Sequence, residues 1–157
     1  MIKIKIVCVG KIKETYLTQG ISEYIKRLSG YCALEIVELK DEKISSNTSD
    51  EKIKEIEANK ILEKINDRDY MILLDLRGKQ LSSEEFAKNL DDLISEGVGN
   101  YCFVIGGSLG VDEKVRKRAN FMISFSKLTF THQMIRMLLL EQIYRAFKIN
   151  NNETYHK

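Results

Sequence analysis

The sequence predicts an α/β fold in which a mostly parallel, open sheet is flanked by helices. Strand-like and helix-like segments alternate five times along the 157 residues, with short connections between them. Two strand-like runs, Tyr70–Leu76 and Tyr101–Ile105, are nearly all apolar. Such strands are buried on both faces, which is typical of a parallel sheet between helices. No linker or repeat interrupts the pattern, so we predict a single domain over residues 1–157.

The first strand and helix are predicted at the start of the chain. Residues Ile2–Val9 alternate isoleucine with lysine and then become apolar, which indicates a strand. Apolar residues at helical spacing predict a helix over Glu14–Leu28, and Gly30 stands just past its end, as a helix-terminating glycine does.

The second strand is predicted over Leu34–Leu39, and a polar loop, Asp41–Thr48, follows it. Thr48 and Glu51 match the T-x-x-E pattern of a capping box, in which each side chain bonds the other residue's backbone amide. We therefore predict that the second helix begins at this pair.

The second half continues the alternation after the buried strand Tyr70–Leu76. Ser82 and Glu85 form another capping box, which predicts the start of the third helix. A short helix capped near Asp112 and reaching Ala119 follows the fourth strand, and the fifth strand is predicted over Phe121–Phe125.

The last predicted helix, His132–Phe147, is the longest. His132 and Arg136 are one turn apart and so share a face. The chain ends in Tyr155, His156 and Lys157, whose side chains all carry hydrogen-bonding or ionisable groups. The apolar face of the helix is predicted to comprise Ile135, Leu138, Leu139, Ile143 and Ala146, flanked by Met134 and Phe147.

Composition places the chain among soluble globular proteins, with 43% hydrophobic and 31% charged residues. No apolar run reaches membrane-spanning length, and the first ten residues do not form a signal peptide. Cys8, Cys32 and Cys102 show no metal or redox spacing, and the two histidines lie far apart, so no metal site is predicted. Reduced, buried thiols indicate a cytoplasmic protein.

The charge of the chain is unevenly distributed. From Val111 onward, nine Lys and Arg residues face four Asp and Glu residues, whereas the first 110 residues carry a net charge of −3. A basic C-terminal third can face an anion such as nucleic acid, although a skew of this size also arises by chance on a solvated surface.

Ligands of open parallel sheets bind outside the carboxyl ends of the strands. Three such ends are predicted here, Leu74–Lys79, Ile105–Gly110 and Phe125–Thr131. A binding site is therefore expected where these three segments meet.

The turn Gly106–Gly110 (GGSLG) allows three interpretations. A dinucleotide-binding fingerprint would need different glycine spacing after the first strand. A nucleophile elbow matches literally, with Ser108 as nucleophile, Asp112 as acid and His132 as base, which would indicate a small serine hydrolase. The third interpretation is a tight turn whose glycines let a ligand or a backbone approach closely.

Taken together, these segments resemble the RlmH family of SPOUT methyltransferases, and the resemblance covers the whole chain. The order and spacing of the motifs, with Tyr-His at the chain end, make the resemblance specific. One departure is Thr131, where the family pattern has proline, and we expect this change to loosen the start of the last helix. The motifs are Val9-Gly10-Lys11, Glu23-Tyr24, Gly78-Lys79, Phe103–Ser108, Ser124–Phe130, His132-Gln133, Arg136, Glu141-Gln142, Tyr144-Arg145-Ala146 and Tyr155-His156-Lys157.

The resemblance implies a SPOUT-type sheet with a C-terminal trefoil knot, an architecture that periodicity cannot reveal. It also implies S-adenosylmethionine as cofactor and a homodimer in which the tail of one subunit lies near the cofactor of the other. The implied reaction is methylation of N3 of a pseudouridine in 23S ribosomal RNA, on the assembled ribosome. The implied cofactor contacts, made largely through backbone groups, are Leu74, Gly106, Phe125, Ser126, Lys127, Leu128, Thr129 and Phe130.

Four side chains are the predicted catalytic residues. N3 of pseudouridine carries a proton that must leave, and histidine is a suitable base, so His156 is the first candidate and His132 the second. Tyr155 is predicted to stack on or orient the base. Arg136, with Arg145 and the cluster Arg116–Arg118, is predicted to bind phosphates. A non-catalytic RNA-binding domain remains the other alternative, and it would bind RNA without cofactor affinity.

Overall fold

The computed structural model of the chain describes residues 1–43, 45 and 47–157. Two positions of the predicted polar loop Asp41–Thr48, Ile44 and Ser46, therefore lie outside the described residues. Five strands and five helices alternate along the described chain: β1 (Ile2–Val9), α1 (Thr15–Leu28), β2 (Cys32–Leu39), α2 (Asp50–Glu63), β3 (Tyr70–Gln80), α3 (Ser83–Ser95), β4 (Asn100–Ile105), α4 (Glu113–Arg118), β5 (Phe121–Ser124) and α5 (His132–Asn150).

The five strands form one sheet in the order β2-β1-β4-β3-β5, and every pair is parallel. This arrangement confirms the predicted α/β class with a parallel sheet. The order itself places β4 between β1 and β3, so that the two most apolar strands lie side by side at the centre. All carboxyl ends point to one edge of the sheet, where the predicted site lies.

Helices cover both faces of the sheet. Because side chains alternate along a strand, Ile6 and Cys8 of β1 pack into one apolar cluster and Val7 and Val9 into another. The first cluster is completed by α1, α3 and α5, and the second by α2 and α4. None of the helices within the described residues is both long and apolar enough to cross a membrane.

Helix α5 is more deeply enclosed than its sequence suggests. Leu139, Ile143, Ala146 and Phe147 are buried as predicted, but Leu140 and Tyr144 are buried as well. The helix lies between α1 and α3 and contacts both, so more than one stripe of its surface is covered. On its remaining side, the predicted core residues Met134, Ile135 and Leu138 are only partly buried.

Two predictions about helix starts are wrong. Helix α2 is capped by Ser49, whose hydroxyl accepts from the Lys52 amide, whereas the Thr48 hydroxyl bonds that of Ser45. At α5, Thr131 does not loosen the helix, because its hydroxyl accepts from the Met134 amide and so supplies the N-cap.

The capping box of α3 is confirmed. The hydroxyl of Ser82 accepts from the Glu85 amide, and the Glu85 carboxylate accepts from the Ser82 amide. The pair fixes the direction in which α3 leaves the end of β3, beside the edge of the sheet where the site lies.

Strand β3 runs four residues beyond the predicted end at Leu76. It pairs with β5 in two registers, since both Leu74 and Lys79 lie opposite Ile123. The intervening residues loop out from the ladder, and the chain then returns across Ile123. A Cβ atom on Gly78 would lie 2.5 Å from the carbonyl carbon of Ile123, so only glycine permits this return.

Candidate active site

A cleft of about 500 Å³ opens at the carboxyl ends of β3, β4 and β5, where the three predicted segments meet. It is bounded by the end of β3, by the turn after β4 and by the loop between β5 and α5. Lys127 is the one predicted cofactor contact that does not line it. The predicted contacts that do line the cleft are Leu74, Gly106, Phe125, Ser126, Leu128, Thr129 and Phe130.

The glycine turn after β4 forms one wall of the cleft. A Cβ atom on Gly106 would lie 2.5 Å from Cγ1 of Val111, and one on Gly107 would lie 2.8 Å from Oε1 of Glu57. Gly107 also bridges to Gly110, which closes the turn. The two glycines therefore allow the Val111 and Glu57 side chains to approach the turn closely.

Ser108 lines the cleft without the features of a nucleophile elbow. An elbow holds its serine in a strained backbone conformation. In the described part of the chain, the non-glycine residues with positive φ are Asn152 and Lys157, so Ser108 does not show this strain. Among the described residues, Ser108 makes no hydrogen bond to His132, and Asp112 instead caps α4 by accepting from the Lys114 amide. The geometry gives the serine no activating base.

Most of the predicted phosphate-binding cluster on α4 is engaged within the chain. Arg116 lines the cleft and donates through Nε to Asp75 at 3.0 Å. Arg118 donates to the carbonyl oxygens of Asn66 and Asp69, which ties α4 to the turn before β3. Lys117 is exposed, so it is the member of this cluster that can reach a phosphate.

His132 lies at the junction of β1 and α5 and lines the cleft. A Cβ atom on Gly10 would be 3.1 Å from its Nε2 atom, and Gly10 has a φ of +98°, so glycine is needed there both for space and for conformation. Burial, followed by the charge of Arg136, lowers the pKa of His132. The imidazole is therefore neutral at neutral pH and can accept a proton.

Arg136, one turn further along α5, is only 2% exposed and is not a solvated residue. Its Nη1 atom bonds Oε2 of Glu38 at 2.5 Å, and its Nη2 atom donates to the Gly10 carbonyl at 2.9 Å. Its Nε atom is buried and has no partner among the described residues. These contacts tie α5 to the ends of β1 and β2 and leave the guanidinium facing away from solvent.

Replacing Arg136 by methionine is expected to lower the free energy of unfolding by about 2 kcal/mol, the usual range for hydrogen bonds to a charged group. The change keeps an unbranched, apolar stem but leaves the Gly10 carbonyl without its donor and Glu38 without its cation. Urea unfolding measures the loss. Glu38→Gln is the control, because it keeps an acceptor for Arg136 and should cost less; an unchanged midpoint in Arg136→Met would contradict this account.

The end of the chain is ordered against α5 and α3. The Tyr155 ring lies edge-on to Tyr144, and its hydroxyl donates to Glu141 at 3.0 Å. Arg145 lies over the Tyr155 ring, and it also pairs with Glu141. Burial is the main cause that raises the pKa of Tyr155, so its hydroxyl stays protonated.

His156 is held between two charged residues. Arg145 donates to its Nδ1 atom at 2.9 Å, and its Nε2 atom lies 2.6 Å from Oε1 of Glu84. This pattern fits a neutral imidazole that is protonated on Nε2. The hydrogen bond from His156 lowers the pKa of Glu84.

The tail and the cleft are separate sites within one chain. Neither Tyr155 nor His156 lines the cleft, whereas His132 does. The contacts that the sequence did not reveal, Glu84 with His156 and Glu57 with Gly107, join residues 72 and 50 positions apart. Among the described residues, no three His, Cys, Asp or Glu side chains are grouped as a metal site requires.

Comparisons with known proteins agree over nearly the whole chain. A family model described as "Predicted SPOUT methyltransferase" matches residues 2–156. Several relatives are named "Ribosomal RNA large subunit methyltransferase H". Those of Clostridioides difficile (strain 630) and Clostridium botulinum (strain Alaska E43 / Type E3) are 56% and 55% identical to this chain. Each of these two matches covers 98% of this chain and 99% of the relative. The relative from Enterococcus faecalis (strain ATCC 700802 / V583) is 52% identical, with 99% of both chains covered.

A solved structure also matches the fold. It is described as "The structure of a probable methylase family protein from Haemophilus influenzae Rd KW20", and it superposes with a TM-score of 0.56 over 100% of this chain and 72% of that chain. The two sequences are 14% identical, so this likeness concerns the fold alone.

Proposed function

Since the chain belongs to the SPOUT methyltransferase family and is therefore a methyl-transferring enzyme, we propose that large-subunit ribosomal RNA is its substrate. The methyl group goes to N3 of a pseudouridine in 23S ribosomal RNA, in the cytoplasm, on the assembled ribosome. The observation that carries the proposal is the cleft, because seven of the eight contacts expected for the methyl donor line it together.

The cleft fits S-adenosylmethionine, the proposed donor. Its volume of about 500 Å³ lies in the range of small-molecule sites. Leu74, Phe125 and Phe130 offer apolar surface for an adenine ring, and the glycine turn lets a ligand approach the backbone closely. When bound, the donor supplies an electrophilic methyl group. The chain's own task is then to align the RNA base with it and to take up a proton.

We assign the proton transfer to His156. Its Nδ1 atom is the free base of a neutral imidazole, but in this structure Nδ1 accepts from Arg145. The tail must therefore leave Arg145 before Nδ1 can accept the N3 proton. Tyr155, whose hydroxyl stays protonated, presents a ring for stacking and a donor for the base edge. His132 in the cleft is the second candidate for the base.

Exposed cations near the cleft are the proposed phosphate contacts. Lys127 projects from the loop between β5 and α5, and Lys117 projects from α4. Arg77 lines the cleft and is 66% exposed at its side chain. Arg136 is not assigned this role because it is buried, and Arg145 is not assigned it because it pairs with Glu141 within α5.

A homodimer would bring the tail of one subunit to the cleft of the other. The proposal is supported by the large apolar side chains left exposed near the cleft, Leu76, Leu128 and Phe130. The partly exposed side of α5, with Met134, Ile135 and Leu138, continues this surface. Covering such a surface against a second copy would remove apolar area from water.

We also propose that the chain follows a trefoil knot, in which the C-terminal segment threads an earlier loop. The return of β3 across Ile123 supports this path, because the segment around Gly78 crosses the backbone of β5 at contact distance.

Calorimetric titration of the purified protein with S-adenosylmethionine is expected to give saturable binding, with one donor bound per protomer and the mass of a dimer in solution. We expect binding because the predicted donor contacts line the cleft, and we expect a dimer because large apolar side chains are exposed beside it. Transfer of labelled methyl groups to ribosomes that lack the modification would then identify the nucleotide.

Ser108→Ala is the control for the hydrolase alternative. The proposed methyl transfer gives Ser108 no catalytic role, and no base activates its hydroxyl among the described residues. Methyl transfer should therefore be retained in this variant. Failure of the unaltered protein to bind the donor, with or without ribosomes, would overturn the proposed function, as would an esterase activity that Ser108→Ala abolishes.

A further inference from the structure

Glu57 is a buried acid on α2 whose carboxylate lies behind the glycine turn of the cleft. The residue is only 6% exposed. Its Oε1 atom lies 2.8 Å, and its Oε2 atom 3.3 Å, from the position that a Cβ atom would take on Gly107. Glu57 does not itself line the cleft, whereas Gly106 and Gly107 do. The carboxylate therefore lies outside the cleft, behind the backbone of the turn.

The contacts of Glu57 are few for a buried acid. Among the described residues, the Glu57 carboxylate has one hydrogen-bond partner: Oε2 accepts from the Glu42 amide, at 3.4 Å. The cation of Lys60 is committed to Glu42 at 2.5 Å. Burial raises the pKa of Glu57, with the neighbouring Asp41 and Glu42 adding to the effect. Burying an acid costs stability unless hydrogen bonds compensate for the lost water.

The same carboxylate contacts two loops that are far apart in sequence. Glu42 belongs to the loop between β2 and α2, and Gly107 belongs to the turn after β4. Val9 at the end of β1 touches Gly107 from the same side, 3.3 Å from the Cβ position. The turn is thus backed by one acid from α2 and one valine from β1, and its inner side faces the cleft.

We propose that Glu57 is a positioning residue for the methyl donor: its carboxyl group holds the Gly106–Gly107 turn in place against the loop between β2 and α2. The inference rests on the proposed function, since it concerns the same cleft. Glu57 acts without touching the donor, and the shape of its carboxyl group matters more than its charge, because the contact with Gly107 is one of packing.

The test measures the dissociation constant for S-adenosylmethionine together with kcat and KM. Glu57→Ala should weaken donor binding by about tenfold, which corresponds to about 1.4 kcal/mol, while kcat at saturating donor stays nearly unchanged. Glu57→Gln keeps the shape of the side chain and should restore most of the affinity. Glu63→Gln is the matched control, since Glu63 is an exposed acid on the same helix.

A double-variant cycle tests the contact directly. Gly107 is not among the glycines with positive φ, so alanine fits its backbone, and Glu57 is the closest obstacle. Gly107→Ala should weaken donor binding in the unaltered background, and by a smaller factor in the Glu57→Ala background, because the carboxylate is then gone.

The outcomes distinguish a failure of the Glu57 proposal from a failure of the proposed function. Donor binding by the unaltered protein, with equal affinity in Glu57→Ala, would overturn this inference and leave the proposed function standing. A loss of kcat and folded fraction in Glu57→Ala, with an unchanged dissociation constant, would also overturn it, since that is the signature of a merely structural acid. Absence of donor binding by the unaltered protein would overturn both.

Discussion

Replacing His156 by alanine is expected to lower kcat for methyl transfer by about 10²- to 10⁴-fold, the usual contribution of a positioned base. Affinity for S-adenosylmethionine should stay nearly intact, because His156 does not line the cleft of its own chain. The change removes the imidazole and releases Arg145 and Glu84, but it leaves the glycine turn and the loop after β5 untouched.

Single-turnover methyl transfer and donor titration measure the two quantities separately. Lys157→Ala is the matched control, because it alters the neighbouring exposed residue and spares the imidazole. Equal losses of turnover and donor affinity in His156→Ala would show that the residue supports the site as a whole and is not the base.

Mixed dimers test whether the tail acts in the cleft of its own subunit or in the cleft of the partner. Gly106→Val should close the cleft, because even a Cβ atom there meets Val111 at 2.5 Å, while its tail remains intact. If the tail acts in the partner's cleft, mixing this variant with His156→Ala restores about a quarter of full activity, since half of the reassorted dimers then hold one complete site. If the tail acts in its own cleft, mixing restores nothing.

Gly78→Ala is expected to cost about 3 kcal/mol or more in the free energy of unfolding, at the upper end of the range for overpacked positions. The added Cβ atom would lie 2.5, 2.6 and 2.8 Å from the carbonyl carbon, the nitrogen and the Cα atom of Ile123. These are backbone atoms of β5, which cannot turn aside as a side chain can. The residues just before Gly78, Leu74–Arg77, also line the cleft, so donor affinity should fall in any folded fraction.

Gly99→Ala provides the matched control for urea unfolding. A Cβ atom at Gly99 meets nothing within 4 Å, and its φ is not in the left-handed region. Alanine there should be neutral or stabilise slightly, because it restricts the unfolded chain. Equal midpoints for Gly78→Ala and the unaltered protein would contradict the close crossing of β3 and β5.

Local patterns made the elements predictable from the sequence. The Ser82–Glu85 box works within four residues, so its prediction needed no tertiary information and is confirmed. The neighbouring case failed because Thr48 and Ser49 can both cap a helix, and the choice depended on a bond between Thr48 and Ser45. Likewise, β3 continues to Gln80 through its pairing with β5, which lies more than forty residues further along the chain.

The location of the cleft was predictable for a more general reason. In a parallel sheet the strand ends converge, so Leu74, Gly106 and Phe125 meet once the alternation of strands and helices is recognised. The contacts of individual polar side chains were not predictable in this way. The sequence predicts a phosphate contact for Arg136, because nothing near it in sequence reveals Gly10 and Glu38, which lie 126 and 98 positions away.

The central place of β4 governs when the sheet can form as the chain is synthesised. Strands β1 and β2 can pair as soon as they emerge, but β3 has no neighbour until β4 or β5 follows it. Pairing across such separations is slow, because loop closure costs entropy before any contact forms. The sequence contains no proline, so prolyl isomerisation cannot delay it. A slow refolding phase in this protein would therefore report the insertion of late strands between early ones.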